Sequence, residues 1–179
     1  MVALLRQLFE VCLLRRGPQD LPHAPPVVAA LVVALLAVQL AFASHQGLPA
    51  PALSARVMVT LVILLGVTGG LLAWRKLENR GSQTLLALAG TGLIFTLAMM
   101  PMALALQPHL GDTEPPPQVM VYALAALGLF VWKLRVEAAI WRQALDIPAS
   151  PAYALTLALV LAEAVLLFLF SPAPLAAAP

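Results

Sequence analysis

The sequence predicts an all-α membrane protein: a polytopic bundle of five transmembrane helices preceded by an N-terminal amphipathic helix. Two bulk properties of the 179 residues support this, since 62% are hydrophobic and only 10% are charged. An average soluble domain is roughly 45–50% apolar and about 25% charged. The third observation is that the apolar residues fall into long runs separated by proline and charge. Soluble enzymes, nucleic-acid binders and disordered chains are therefore excluded.

Residues 2–16 are predicted to form the amphipathic helix. Its apolar residues recur at helical spacing on one side: Leu5, Leu8, Phe9, Cys12 and Leu13. Arg6, Gln7 and Glu10 lie toward the other side. Arg15 and Arg16 close the last turn, where positive charge complements the helix dipole. Two interpretations stay open for this segment: a simple lead-in, or a docking site on the cytoplasmic membrane surface.

Five apolar runs follow, each near the ~20 residues that a helix needs to cross a hydrocarbon core about 30 Å thick. They cover residues 27–44, 57–74, 84–106, 119–140 and 152–170. The fourth is the weakest, because it is purely apolar only to Trp132; an interfacial segment is the alternative. Ala41-Phe42-Ala43 before Ser44 also resembles a signal-peptidase site, although the length of chain before it favours an uncleaved span.

The chain is thus divided into three parts. Residues 1–26 form a cytoplasmic helix and proline-rich turn, residues 27–171 a single transmembrane domain, and residues 172–179 a short tail. Placing the loops alternately, with the N-terminus inside, leaves Arg56 as the one basic residue outside. The other nine lie inside: Arg6, Arg15, Arg16, Arg75, Lys76, Arg80, Lys133, Arg135 and Arg142. Because basic residues are retained in the cytoplasm, we expect a bacterial inner-membrane protein with a cytoplasmic N-terminus and a periplasmic C-terminus.

The segment that joins the amphipathic helix to the first span carries a recognisable motif. It reads Leu-Leu-Arg-Arg-Gly-Pro-Gln-Asp-Leu-Pro over residues 13–22. This motif resembles one found in a family of small bacterial inner-membrane proteins, and the five-span layout is similar to that of Yip1-type membrane proteins. The first resemblance implies an inner-membrane location and brings no assigned chemistry with it. Within the motif, Arg15, Arg16, Gln19 and Asp20 are candidate functional residues.

Ionisable side chains within the spans are the other candidates, since charge at depth in a bilayer is costly and often functional. Glu163 is the clearest, eleven residues into the fifth span, and Lys133 and Arg135 of the fourth span are its possible partners. Glu137 competes for Lys133, because it lies four residues further on the same helix face. From the outer helix ends, Lys133 lies roughly 22 Å deep and Glu163 about 10 Å deep, which leaves a gap between them. The alternative is a structural Glu163 that hydrogen-bonds a neighbouring hydroxyl or backbone group.

Small residues are predicted to let the spans approach closely. Gly66 and Gly70 form one such pair, and Ala154, Ala158 and Ala162 form a stripe on the fifth span. In the third span, the run Ala-Gly-Thr-Gly at residues 89–92 is predicted to allow the same close approach. We expect these residues to pack within the chain, with dimerisation as the alternative.

No metal cluster, phosphate loop, nucleophile–base pair or dinucleotide fingerprint is visible in the sequence, so no cofactor and no enzymatic activity are expected. His109, Asp112 and Glu114 are interpreted as a solvated loop rather than a cation site. The favoured function is a non-catalytic interaction, assembly or accessory subunit that contacts lipid and a membrane-protein partner or a second copy. The alternative is a small transporter or channel, linked to protons through Glu163. Few polar residues are available to line a path: Gln39, Thr60, Thr68, Thr91, Thr96 and Thr156.

The nine-to-one distribution of basic residues makes the topology testable. A reporter enzyme that is active only in the periplasm, fused after Pro179, should be active, whereas the same reporter fused after Glu78 should be silent. Colony colour or hydrolysis of the reporter's substrate measures both. An inactive C-terminal fusion would reduce the number of spans to four.

Overall fold

The computed structural model describes residues 2–112 and 115–170, and over these residues it is helical, without a strand. Five helices are each long and apolar enough to cross a membrane, as predicted. They are Pro25–His45, Ala50–Trp74, Glu78–His109, Pro117–Leu145 and Ala149–Phe170. The chain is therefore organised as a multi-pass membrane protein.

The α-helices are α1 (Val2–Cys12), α2 (Pro25–His45), α3 (Ala50–Leu61), α4 (Thr68–Trp74), α5 (Gly81–Leu106), α6 (Pro117–Leu145) and α7 (Ala149–Phe170). A π-helical turn, Val62–Val67, joins α3 to α4 within one span. Short 3₁₀ turns cover Pro18–Asp20, Glu78–Arg80 and Gln107–His109. Proline occupies the first turn of α2, α3 and α6, where its missing N–H group breaks no helical hydrogen bond.

The five spans form a closed ring. α5 packs against α2 and α6, α6 packs against α7, α7 packs against α3, and α3 packs against α2. The fourth span, the weakest in the sequence, is a continuous helix of 29 residues, roughly 43 Å long, which exceeds the ~30 Å of a hydrocarbon core. It is thus long and apolar enough to cross a membrane, as the transmembrane interpretation requires.

The helix α1 ends earlier than the sequence suggested, at Cys12 rather than near residue 16. Leu14 takes a left-handed conformation, with φ of 59°. The N–H of Leu14 donates to Val11 O and that of Arg15 to Glu10 O, which is a Schellman termination. The expectation that Arg15 and Arg16 close the last helical turn is therefore wrong, because this termination places both beyond the helix end.

One side of α1 packs into the bundle against α5 and α6. Leu8, Val11 and Cys12 are buried there. A Cβ atom at Gly90 of α5 would lie 2.6 Å from Leu8 Cδ2, so glycine is what admits this close approach. Trp132 Nε1 of α6 donates a hydrogen bond of 2.9 Å to Cys12 O. The buried side of α1 thus meets the chain's own spans, which neither the lead-in nor the docking interpretation anticipated.

The small residues behave in two ways. Close packing is confirmed around residues 89–92, where Gly90 meets Leu8 and Gly92 meets Leu35. The same prediction is wrong for Gly66 and Gly70, since a Cβ atom at either position would have no neighbour within 4 Å. The alanine stripe of α7 is likewise exposed: Ala154, Ala158 and Ala162. The spacing alone does not tell which face of a helix turns inward.

The contact between Leu8 and Gly90 gives a test of α1 docking that uses Cys12 as a probe. Burial raises the pKa of the Cys12 thiol to about 11, so only about one molecule in a thousand carries the reactive thiolate at pH 8. Gly90→Leu should displace α1, since overpacking costs about 1–3 kcal/mol, and maleimide should then label Cys12 faster. Gly128→Leu is the matched control, because Gly128 has open space around it. Equal labelling rates in the two variants would contradict the packing described.

Candidate functional site

A polar cavity of about 240 Å³ lies inside the ring of spans. All five spans contribute to its wall. Its apolar lining includes Leu35, Ile63, Leu64, Leu88, Leu159 and Val160. Its polar lining consists of Gln39, Thr60, Thr68, Thr96, Lys133, Glu137, Thr156 and Glu163. The site therefore combines three ionisable side chains with hydroxyl and amide groups at membrane depth.

Five of the six uncharged polar residues that the sequence offered for a path line this one cavity. The sixth, Thr91, instead donates to Ala87 O in its own helix. Sequence reasoning counted these residues as too few to line a path. The spans are apolar on most sides, so no helical periodicity reveals that their single polar residues share a centre.

The π-helical turn forms part of the cavity wall, through Ile63 and Leu64. Such turns are frequent at functional sites, because the i→i+5 register disturbs the regular hydrogen-bond ladder. Thr68 follows directly; its Oγ1 is buried and has no hydrogen-bond partner among the residues that the structure covers. An unsatisfied buried hydroxyl costs about 1–3 kcal/mol. Thr60 differs, because its hydroxyl donates to Gln39 Oε1 over 3.0 Å.

The charged groups of the cavity are arranged as a pair and a single acid. Lys133 Nζ lies 2.5 Å from Glu137 Oε1, one helical turn along α6. Glu163 has no hydrogen bond and no ion pair within the described part of the chain. Glu137 therefore takes Lys133, as the competing interpretation held. The alternative, in which Glu163 hydrogen-bonds a neighbouring hydroxyl or backbone group, is not seen among the described residues.

The depth gap expected between Lys133 and Glu163 is much smaller than the outer helix ends suggested. The helices α6 and α7 meet at the turn of residues 146–148. Measured from that turn, Lys133 lies about 18 Å along α6 and Glu163 about 21 Å along α7. The expectation used the outer helix ends as its reference, whereas the two helices are joined at the α6–α7 turn, from which the two depths nearly agree. Both side chains line the same cavity.

An apolar cluster packs between the cavity and the α6–α7 turn. It contains Leu72, Trp141, Ala144, Leu145 and Ala152. Trp141 belongs both to this cluster and to the cavity wall, and it is 3% exposed. The polar site is thus separated from this end of the bundle by packed side chains.

Arg135 lies outside the cavity, on another face of α6. Its guanidinium carbon sits 5.6 Å from the centre of the Trp132 ring, in a cation–π arrangement. Arg16 Nε pairs with Glu10 Oε2 at 2.5 Å, and Arg15 is exposed. The structure does not bring these three arginines to Glu163.

The Gly-Pro-Gln-Asp motif anchors the N-terminal segment to the bundle. Asp20 Oδ2 accepts from the backbone N–H of Gly17 at 2.8 Å. The side-chain amide of Gln83 in α5 donates to Gln19 O and Leu21 O, at 3.2 and 2.7 Å. A Cβ atom at Gly17 would overlap the Gln143 side chain of α6. Gln19 and Asp20 therefore hold a turn in place and are remote from the cavity.

In the loop after α5, His109 Nδ1 lies 2.8 Å from Asp112 Oδ2. Glu114 and the predicted tail of residues 172–179 lie outside the described residues. Over the described residues, no group of three metal-ligating side chains comes together.

Comparison of the chain with protein-family models, with curated proteins and with solved structures gives no match in any of the three. The site must therefore be interpreted from its own chemistry.

The charge arrangement makes a stability prediction. Glu137→Gln should lower the free energy of unfolding by about 1–3 kcal/mol, because it leaves Lys133 without its counter-charge in a partly exposed pair. The double variant Lys133→Met, Glu137→Gln should recover most of this loss, because no unpaired cation remains. Glu163→Gln should change it by less than about 1 kcal/mol. Thermal melting in detergent measures all three.

Glu78→Gln, in the 3₁₀ turn before α5, is the matched control for loss of a carboxylate. If Glu163→Gln instead lowers the melting temperature strongly, and Lys133→Met added to it restores that temperature, Lys133 pairs with Glu163 rather than with Glu137.

Proposed function

We propose that this membrane protein is a small transporter that binds a small polar solute in the central cavity and is linked to protons through Glu163. The observation that carries the proposal is the convergence of polar side chains from all five spans on one cavity. Polar groups in a span are costly unless they find partners. Five of the eight around this cavity find partners within the described residues, and a ligand would serve the others.

The chemistry of the cavity favours a ligand that donates hydrogen bonds or carries positive charge. Its ionisable groups are two acids and one lysine, and the lysine is already paired with Glu137. Glu163 is left as an acceptor for a proton or a cationic group. The buried Thr68 hydroxyl, in the same wall, has no partner among the described residues. A volume of about 240 Å³ admits several water molecules or one small solute.

The apolar cluster around Trp141 supports a transporter over an open channel. A permanently open pore needs a continuous wet path, whereas this cluster packs between the cavity and the α6–α7 turn. Alternating access requires such a barrier on one side of the binding site. Movement of α6 against α4 and α7 would open it.

We also propose that the protein lies in a bacterial inner membrane, with its N-terminus in the cytoplasm and its C-terminus in the periplasm. The nine-to-one basic distribution supports this orientation. Arg80 donates to the carbonyl of Gln143, and Gln83 to that of Gln19, so basic and motif segments gather at one end of the bundle. We propose further that α1 is amphipathic. Its exposed apolar residues Val2, Leu5 and Phe9, with Leu13 just beyond its end, would lie in lipid.

A second candidate is a non-catalytic accessory subunit, in keeping with the motif that resembles other small inner-membrane proteins. The observation that favours it is the outward position of the small residues on α7 and near the π-helical turn. Such surfaces suit close helix–helix contact with a membrane partner or a second copy. Co-purification from native membranes separates the two candidates, since a stable partner complex without solute flux favours the second.

Proton flux into proteoliposomes tests the first candidate. Vesicles with an internal pH dye and a potassium diffusion potential should acidify faster with the wild-type protein than without it. Glu163→Gln should reduce the rate to that of protein-free vesicles, because the amide cannot carry the proton, whereas Glu78→Gln should match wild type. Wild-type vesicles no faster than empty ones would contradict proton movement through Glu163 without a bound solute.

Thr68→Val separates a ligand role from a structural one. Removing an unpartnered buried hydroxyl should leave the melting temperature unchanged or raised. The same variant should slow flux if Thr68 serves the ligand. Lost stability together with unchanged flux would assign Thr68 to packing.

A further inference from the structure

A second pocket lies on the opposite side of α6, near the α6–α7 turn, and has a volume of about 220 Å³. The polar side chains around it are Arg135, Arg142, Gln143 and Tyr153, and Ala149 and Leu14 complete its rim. It shares no lining residue with the central cavity. What it binds is therefore independent of the proposed transport.

Its charge is positive and uncompensated. Arg135 and Arg142 are seven residues apart, two turns of one helix face, and Ala138 and Ala139 between them leave room for a ligand. The nearest acids of the same segment are engaged elsewhere. Glu137 pairs with Lys133, and Asp146 Oδ2 pairs with Arg80 Nη2 at 3.0 Å. Neither pocket arginine has a carboxylate within 4 Å among the residues described.

The donors around the pocket suit a phosphate group. Guanidinium forks bind phosphate oxygens in pairs. The Tyr153 hydroxyl and the Gln143 amide are further donors. α7 begins at Ala149, where the N–H groups of Ala149 and Ser150 are left to meet an anion, since Pro151 has none and that of Ala152 bonds to Pro148 O. We infer that this pocket binds the phosphate headgroup of an anionic phospholipid in the leaflet at the α6–α7 turn.

The surroundings select a lipid rather than a free anion. Trp132 and Tyr153 are half-exposed aromatic side chains beside the pocket, of the kind that mark a membrane interface. Toward the membrane centre the same helix faces carry exposed apolar residues: Val131 on α6, with Leu157 and Leu161 on α7. They form a surface along which an acyl chain lies while the headgroup stays between the arginines. Basic pockets between helix ends are a known setting for anionic lipid.

Native mass spectrometry of the purified full chain tests this inference. The protein, stripped in detergent, is offered phosphatidylglycerol or phosphatidylcholine in 0.5 M salt, which screens exposed charges. The wild type should retain one phosphatidylglycerol in preference to phosphatidylcholine. Each of Arg135→Gln and Arg142→Gln should reduce that preference about five-fold. Inorganic phosphate at millimolar concentration should displace none of it.

The matched control removes two exposed basic residues outside the pocket, Arg15→Gln with Lys76→Gln, and should keep the wild-type preference. Arg142→Lys and Tyr153→Phe, which retain bulk, should each give a partial loss and keep the test informative if a glutamine variant fails to fold. Equal retention of the two lipids by wild type, equal losses in pocket and control variants, or displacement by inorganic phosphate would each overturn the inference.

Discussion

Hydrocarbon offers no hydrogen bonds, so each polar group in a span must find its partner within the protein or with a bound molecule. This constraint explains where the polar residues of the chain lie. Thr91 and Thr156 bond back to carbonyls of their own helices, Thr60 bonds across to Gln39, and Lys133 bonds to Glu137. Among the described residues the buried hydroxyls of Thr68 and Ser82 find no partner, and Thr68 lies at the central cavity, as does Glu163. Most of the polar groups named above are thus satisfied within the chain itself.

The helix α6 has two polar faces with different environments. Lys133, Glu137 and Trp141 recur every four residues and line the central cavity. Arg135 and Arg142 fall on another face and line the outer pocket. Because the acids of α6 and of the following turn bind lysine or Arg80, the two pocket arginines remain available for an external anion. One helix thereby separates an acid-rich interior from a basic, lipid-facing exterior.

The end of the bundle near the α6–α7 turn is held by side chains that reach between segments distant in sequence. Arg75 donates to Leu145 O, and Arg80 to Gln143 O and Ala144 O, which satisfies carbonyls at the end of α6 that have no helical partner. Gln83 holds the turn after Gly17, and Trp132 holds the end of α1. Basic residues that the topology rule counts as cytoplasmic markers therefore also close the helix ends. The same contacts hold α1 against α5 and α6.

The sequence by itself determined the all-α class and the five spans, because run length and low charge are local properties that a bilayer converts directly into helices. It also predicted that Glu137 would compete with Glu163 for Lys133, since Glu137 and Lys133 lie on one helix at a fixed spacing. Tertiary structure alone decided that α1 packs on Gly90, that the small residues of α7 face outward, and that Lys133 and Glu163 reach one cavity. These three contacts depend on how each helix is rotated about its axis and shifted along it relative to its neighbour. Spans that are apolar on most sides carry no periodic signal from which the rotation or the shift can be inferred.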